Sequence, residues 1–289
     1  FSTIETCLDA ANDICHSLPD PGVDVLKDER QILLHPIAAG KEARSMHAKS
    51  LANGIRLSEL FPGGRLYHAQ EIRVSSVCTV AAACRSGDLF VAFDGPDGDT
   101  HWDIELAVAN GATAVLCERL LPANIPQCVV DDTGPAIAQL IQQLWGSPGE
   151  ELQVVGVAGH HGIANTSLML RELFEERGGA APALGQTDGS TATPDRAPKL
   201  PTAWQYAEWL SQAVSGGCTH AVAELHREAA LRYAYSAVPL QTLVLGSLST
   251  STHRHSATAK TRTAVERMLH QLKPGGQLIA NIDCPVVAD

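Results

Sequence analysis

The chain has 289 residues, 45% hydrophobic and 18% charged, which is room for about two domains of roughly 100–200 residues, each with an apolar core. Its net charge of −11, from 32 acidic against 21 basic residues, argues against broad binding to nucleic acid or anionic membrane, both of which need basic surface. No stretch reaches the roughly 18–20 continuous apolar residues of a membrane span. Phe1–Leu18 lacks the basic start and apolar block of a signal peptide, so a fragment and a cytoplasmic location are expected. The eight cysteines (7, 15, 78, 84, 117, 128, 218 and 284) form no C-x-x-C pair, and several sit in apolar strand-like runs. Reduced, buried thiols are the expectation.

Residues 1–54 mix charges with histidine and serine and show no clean strand pattern, as in an N-terminal extension with short helices. Residues 55–149 read as a first, small α/β domain. Asp88–Phe93 is a strand after Gly87, and Asp103–Asn110 has helical apolar spacing with Gly111 as its stop. Ala114–Cys117 and Cys128–Val130 are further buried strands. Asp132 and Pro135 open a helix with Ile137, Leu140, Ile141 and Leu144 on one face. Gly146-Ser147-Pro148-Gly149 marks a domain boundary.

Residues 150–289 repeat the alternation. Leu152–Ala158 reads as a strand, Thr166–Arg177 as a helix and Gly185–Pro201 as a polar loop. A helix over Ala203–Val214, strands at His220–Glu224 and Leu240–Leu245, a helix over Ala257–Leu272 and a strand at Gln277–Ile282 follow. Continuous apolar strands between helices imply a mostly parallel sheet with helices on both faces. Ligands in such folds lie at the carboxyl ends of the strands.

One such end carries Val155–Ser167, V-G-V-A-G-H-H-G-I-A-N-T-S. A phosphate loop needs glycines for close backbone approach, a helix N-terminus for N–H donors, a lysine for the β/γ-phosphates and a hydroxyl for Mg²⁺. Gly159 and Gly162 meet the first requirement, but Ile163 and Ala164 hold the lysine and hydroxyl positions. The residues alone fit a nucleotide site, its remnant, or a tight strand-to-helix turn. The candidate nucleotide-contacting set is Gly159, His160, His161, Gly162, Ile163, Ala164, Asn165 and Thr166. His160 and His161 are either phosphate donors or exposed loop histidines. Glu224, at a strand end, is either a Mg²⁺ ligand or a solvated strand terminus. His220, His226, His253 and His255 lack the pairing of a zinc site.

Gly156–Thr166 resembles, position for position, the G-V-T-G-T-N-G-K-T-T-T loop of the Mur ligases. Further segments follow in the same order. Gly87-Asp88-Leu89-Phe90-Val91-Ala92 with Gly95 and Asp97-Gly98 resembles G-D-L-F-V-A-x-x-G-x-x-x-D-G, and Ala192-Thr193-Pro194-Asp195 resembles T-T-P-D. Gly217-Cys218-Thr219-His220 leading to Glu224 resembles G-x-T-H…E-V-S-S-H. Gln271–Gly276 with Asn281 and Asp283 resembles L-x-P-G-G…N-x-D-D.

The resemblance implies the branch that adds the third stem residue, usually a diamino acid, to UDP-MurNAc-L-Ala-D-Glu in peptidoglycan synthesis. It implies a first domain for the uridine nucleotide and a central domain for ATP and Mg²⁺. A third domain would begin near Asp289, so two of three domains are expected. It makes Glu224 a candidate metal ligand. Thr193, Asp195 and His255 become candidate contacts to a UDP-MurNAc-dipeptide-like molecule, although Thr193–Asp195 also reads as a plain turn.

The departures fall on the chemistry. Ile163 and Ala164 replace the lysine and the hydroxyl, and Val80-Ala81-Ala82 stands where the family carries D-S-R. His226-Arg227-Glu228 replaces S-S-H, and Thr250–His255 keeps only the last histidine of D-H-L-D-Y-H. Val265 falls where a carbamylated lysine bridges magnesium, and Lys260 lies more than one turn earlier. No residue is assigned to catalysis. The expectation is a catalytically impaired Mur-ligase-like pseudoenzyme; the alternative is a non-catalytic binding module or a structural partner of another protein.

Overall fold

The computed structural model describes residues 46–47, 54–95, 98–176, 183–184, 201–248, 259–284 and 287. Nearly all of the N-terminal extension, Thr193, Asp195, His253 and His255 lie outside the described residues. The chain divides between Trp145 and Gly146 into two compact units.

The first unit is built on a six-stranded sheet: β1 (Met46–His47), β2 (Arg65–Tyr67), β3 (Ser76–Cys78), β4 (Leu89–Val91), β5 (Ala114–Cys117) and β6 (Gln127–Val129). The spatial order is β1-β3-β4-β5-β6-β2. The four inner strands run parallel, and the two edge strands pair antiparallel. Met46–His47 therefore joins this sheet, although the sequence shows no strand pattern there. Two residues against a preformed edge need no periodicity of their own.

Both faces of this sheet are covered. Helix α1 (Ile104–Ala109) and the 3₁₀ turn Ala81–Ala83 lie over Cys78, Phe90, Val115, Cys117 and Val129. Helix α2 (Thr133–Leu144) puts Ala136, Leu140 and Leu144 over Val77, Leu89, Val91 and Leu116. Asp132 caps α2 by accepting the Gly134 N–H.

The second unit holds a five-stranded, wholly parallel sheet: β7 (Gln153–Ala158), β8 (Ala183–Leu184), β9 (His220–Leu225), β10 (Leu240–Leu245) and β11 (Leu272–Ala280). The order β8-β9-β7-β10-β11 puts β7 at the centre. Its side chains alternate between two apolar layers. Val155, Val157, Val222 and Val244 face α3 (Ile163–Glu176), which contributes Leu170 and the half-buried Ile163 and Phe174. Val154, Ala223, Leu225, Leu240 and Leu243 face α4 (Ala203–Ser215), α5 (Arg227–Leu231) and α6 (Ala259–Leu269). The sheet is sandwiched as expected for buried parallel strands.

Three boundaries differ from the sequence reading by three residues or more. Helix α3 begins at Ile163 rather than Thr166, because the Thr166 N–H already donates to the Gly162 carbonyl at 2.9 Å. Helix α6 ends at Leu269, and β11 starts at Leu272 instead of Gln277. Strand β11 pairs Leu272 with Leu240 and then Gln277 with Thr242, so Lys273–Gly276 bulges out between the two pairs. The bulge explains the glycines of the P-G-G run. Gly275 has φ +79, and a Cβ on Gly276 would lie 2.9 Å from the Lys273 carbonyl oxygen.

Candidate functional site

The candidate loop leaves β7 at Ala158 and enters α3 at Ile163. Gly162 has φ +76, the left-handed turn that lets the chain reverse into the helix. Two backbone bonds tie this end of the sheet together. The His160 N–H donates to the Ser247 carbonyl at 2.6 Å, and the Gly246 N–H donates to the Ala158 carbonyl at 2.8 Å. One loop amide that could face an anion is thus spent on the end of β10. Sequence reading missed Gly246 and Ser247; the only available signal was a glycine directly after the β10 apolar run.

The N–H groups of Ile163, Ala164 and Asn165 open α3 and have no intrahelical acceptor. That much fits a phosphate. Ile163 does not. Its side chain is half-buried against the apolar layer that holds Val155, Val157 and Val244, so no cation projects from the first helical position. Ala164 and Asn165 are exposed, and Thr166 is half-buried. His160 and His161 are both exposed, with ring centroids 5.1 Å apart. Partial desolvation, then the neighbouring His161 and Arg227, hold the His160 imidazole below its ordinary value of 6.5.

Arg227 follows β9 and is the cation whose field reaches His160. Its guanidinium is committed to Glu228, with Nε at 2.9 Å and Nη2 at 2.5 Å from the same carboxylate oxygen.

Glu224 is not a solvated strand terminus: it is 5% exposed, because β9 continues through Leu225. It pairs in register with Val157 and shares the face that α3 covers. Burial raises its carboxyl above 4.5. His226, with Nε2 3.7 Å from the Glu224 carboxylate, is held below 6.5 by burial. Among the described residues, no three His, Cys, Asp or Glu side chains gather where they could hold a metal ion. Among the described residues, Glu224 is paired with His226 and belongs to no carboxylate cluster, a poor fit to Mg²⁺, which is held through carboxylates with retained waters. Val265, at the position of the bridging lysine, is half-buried on the core face of α6, while Lys260 is exposed in the first turn.

These features define an α/β protein of two units whose second, parallel sheet carries a glycine-bearing loop between its central strand and the following helix. No family model matches the sequence. A 2,6-diaminopimelate ligase acting on UDP-N-acetylmuramoyl-L-alanyl-D-glutamate, from Chlorobium phaeobacteroides, is 28% identical over 221 residues, 73% of this chain and 43% of its own length. Proteins of the same name from Cytophaga hutchinsonii and Listeria monocytogenes are 27% identical over 168 residues and 31% over 110. These matches take in 35% and 22% of the two relatives. A solved structure of a ligase of this name superposes with a TM-score of 0.62 at 21% identity, over 80% of this chain and 47% of that one. The chain is a homologue of the Mur ligases. The named relatives all belong to the branch that adds 2,6-diaminopimelate, and the chain spans less than half the length of each. Among the described residues, no helix is long and apolar enough to cross a membrane.

Proposed function

We propose that this chain is a Mur-ligase-like protein that keeps the two α/β frames of a cell-wall ligase but has lost the amide-forming chemistry. The observation that carries the reading is Ile163. The first helical residue after the loop points an aliphatic side chain into the apolar layer, where the ligation chemistry needs a cation on the transferred phosphate. Removing one such group is worth about 10²–10³ in rate, and here the metal-holding hydroxyl and the bridging lysine are replaced as well.

On this reading the loop binds nucleotide phosphate weakly, through the N–H groups at the start of α3. ATP and Mg²⁺ are its inherited cofactors, and Glu224, buried beside His226, is the carboxylate left from a metal site that no longer fits Mg²⁺. A UDP-MurNAc-dipeptide-like molecule is the inherited ligand of residues 55–149, and residues 150–289 form the nucleotide unit. Thr193, Asp195 and His255 are the proposed substrate contacts, and the cytoplasm is the proposed site of action. The tie from the His160 N–H to the Ser247 carbonyl favours a second reading, in which the loop is a structural turn and the chain serves a protein partner.

Calorimetric titration separates the two. ATP–Mg²⁺ heat with a millimolar-range Kd, without product when UDP-N-acetylmuramoyl-L-alanyl-D-glutamate and 2,6-diaminopimelate are added, supports the binding module. No heat with either the nucleotide or the uridine precursor leaves the structural partner. Measurable ATP-dependent amide formation by the purified chain overturns both.

A further inference from the structure

A histidine of the first unit sits in an arrangement that the nucleotide reading does not use. His101 lies in the 3₁₀ turn Thr100–Asp103, which leads into α1, and is only 2% exposed. Both ring nitrogens are engaged. Nε2 lies 3.2 Å from the Glu118 backbone nitrogen and accepts its N–H, so Nε2 is unprotonated. The ring's one proton is therefore on Nδ1, which donates to Asp99 Oδ1 at 2.6 Å. The same carboxylate oxygen accepts the His101 backbone N–H at 3.0 Å, and the other takes the Arg119 guanidinium.

These bonds cross-tie the carboxyl ends of three neighbouring strands. The turn is anchored after β4, where the Phe93 N–H donates to Thr100 Oγ1 at 2.9 Å and the Thr100 N–H returns to the Phe93 carbonyl at 3.0 Å. Through the His101 ring it reaches Glu118, directly after β5. Glu118 in turn reaches the start of α2, beyond β6. Its carboxylate accepts the Thr133 N–H at 3.0 Å and the Thr133 hydroxyl at 2.7 Å. In open α/β sheets this is the end at which ligands bind.

The charges around the ring decide what a second proton does. The Arg119 guanidinium holds the Asp99 carboxyl down to about 2. Asp99 thus stays ionised across the range of about pH 5–8 in which imidazole changes charge. Glu118 is half-buried with its carboxylate committed to Thr133, while Asp94, Asp103, Glu105 and Asp132 on the surrounding elements are exposed. A proton taken from solvent goes to Nε2. The imidazolium keeps its bond to Asp99, now as an ion pair, but its Nε2–H faces the Glu118 N–H, donor against donor. The bond that gives way is the one to Glu118.

We infer that His101 is an acid-operated latch on the carboxyl end of the first sheet. The neutral ring holds Glu118 and, through it, the start of α2; the charged ring lets this tie go. The inference is independent of whether the second unit binds nucleotide.

The test is an NMR titration of the ¹⁵N-labelled full chain from pH 8 to pH 5, above the ordinary carboxylate values. At pH 8 the His101 ring should carry its proton on Nδ1, seen in a long-range ¹H–¹⁵N spectrum assigned with His101→Gln. As the ring charges, the Glu118 amide should shift with the same midpoint. It should also lose about tenfold in protection from hydrogen exchange, the equivalent of one hydrogen bond. The Thr133 amide should follow. In Glu118→Ala the amide at position 118 should still follow the ring, and the Thr133 amide should not. In His101→Gln, whose carboxamide can accept the same N–H but takes no proton, neither amide should titrate. A proton on Nε2 at pH 8, a ring that stays neutral down to pH 5, or a Glu118 amide that titrates equally in His101→Gln overturns the inference. The tautomer and the shared midpoint are read on the parent chain, so the outcome does not depend on a variant folding.

Discussion

The Glu224 carboxylate lies 3.7 Å from His226 Nε2, and burial shifts the two in opposite directions. Glu224 is raised above 4.5, so the folded chain keeps a proton that the unfolded chain releases. Its contribution to stability is present below pH 4.5 and is lost as pH rises through the folded value. His226 is depressed below 6.5, so its contribution is present above pH 6.5 and is lost as pH falls through its folded value. Glu224→Gln should therefore raise the melting temperature at pH 8, by the equivalent of about 1 kcal/mol. The gain should shrink towards zero at pH 4.5. Thermal melts of parent and variant at the two pH values check this; a gain equal at both would mean that carboxylate burial is not its source.

The charge missing from the loop can be put back. Ile163→Lys costs apolar contact against Val155 and Val157, about 1–2 kcal/mol for a half-buried side chain of this size. A lysine stem can snorkel from the same position towards the helix start. If the N–H groups of Ile163, Ala164 and Asn165 still face a phosphate, the variant should bind ATP–Mg²⁺ about tenfold more tightly, roughly 1.4 kcal/mol. Isothermal titration measures it. Unchanged affinity in a folded variant would mean that the loop has closed and the turn is structural.

The parallel sheet was legible because its strands are continuous apolar runs between helices, and Ala114–Cys117 and Leu240–Leu245 fall on the residues read from the sequence. The edges were not. Met46–His47 is a strand only because Ser76–Val77 offers a partner, and Lys273–Gly276 joins β11 only through a bulge that no periodicity reports. The loop was legible as a glycine-bearing turn, but not its tie to Ser247, a contact across some 87 residues of chain. Of the two readings left open for Glu224, the solvated terminus fails because β9 runs one residue further, to Leu225, and α3 closes over that face.

Close packing behind the loop gives a third prediction. A Cβ on Gly156 would lie 2.5 Å from Leu225 Cδ1 and 3.2 Å from Leu240 Cδ1, between the two strands that flank β7. Both leucines are fully buried, so their side chains have little room to turn aside. Gly156→Ala should cost about 1–3 kcal/mol, the usual penalty of overpacking. Gly159→Ala is the control. Its Cβ would meet the Ser247 carbonyl oxygen at 3.4 Å and Gly246 Cα at 3.5 Å, ordinary contacts, and its φ is not in the left-handed region. Urea midpoints should fall clearly for the first variant and by less than about 1 kcal/mol for the second.

Ser167 lies on the core-facing row of α3 with Ile163, Leu170 and Phe174, fully buried, and its hydroxyl has no hydrogen-bond partner. A buried hydroxyl left unpaired costs about 1–3 kcal/mol, and serine is also a poorer helix former than alanine by a few tenths. Ser167→Ala removes the polar atom and leaves a hole of only one oxygen. It should stabilise the second unit by about 1 kcal/mol, seen as a higher urea midpoint with an unchanged slope. A loss of stability would mean that the hydroxyl bonds a carbonyl of the preceding turn in solution. Because Ser167 points away from the loop and into the apolar layer, the nucleotide titration should not move. A variant that gained stability and also lost ATP binding would show that the phosphate depends on mobility at the start of α3 rather than on a preformed set of N–H groups.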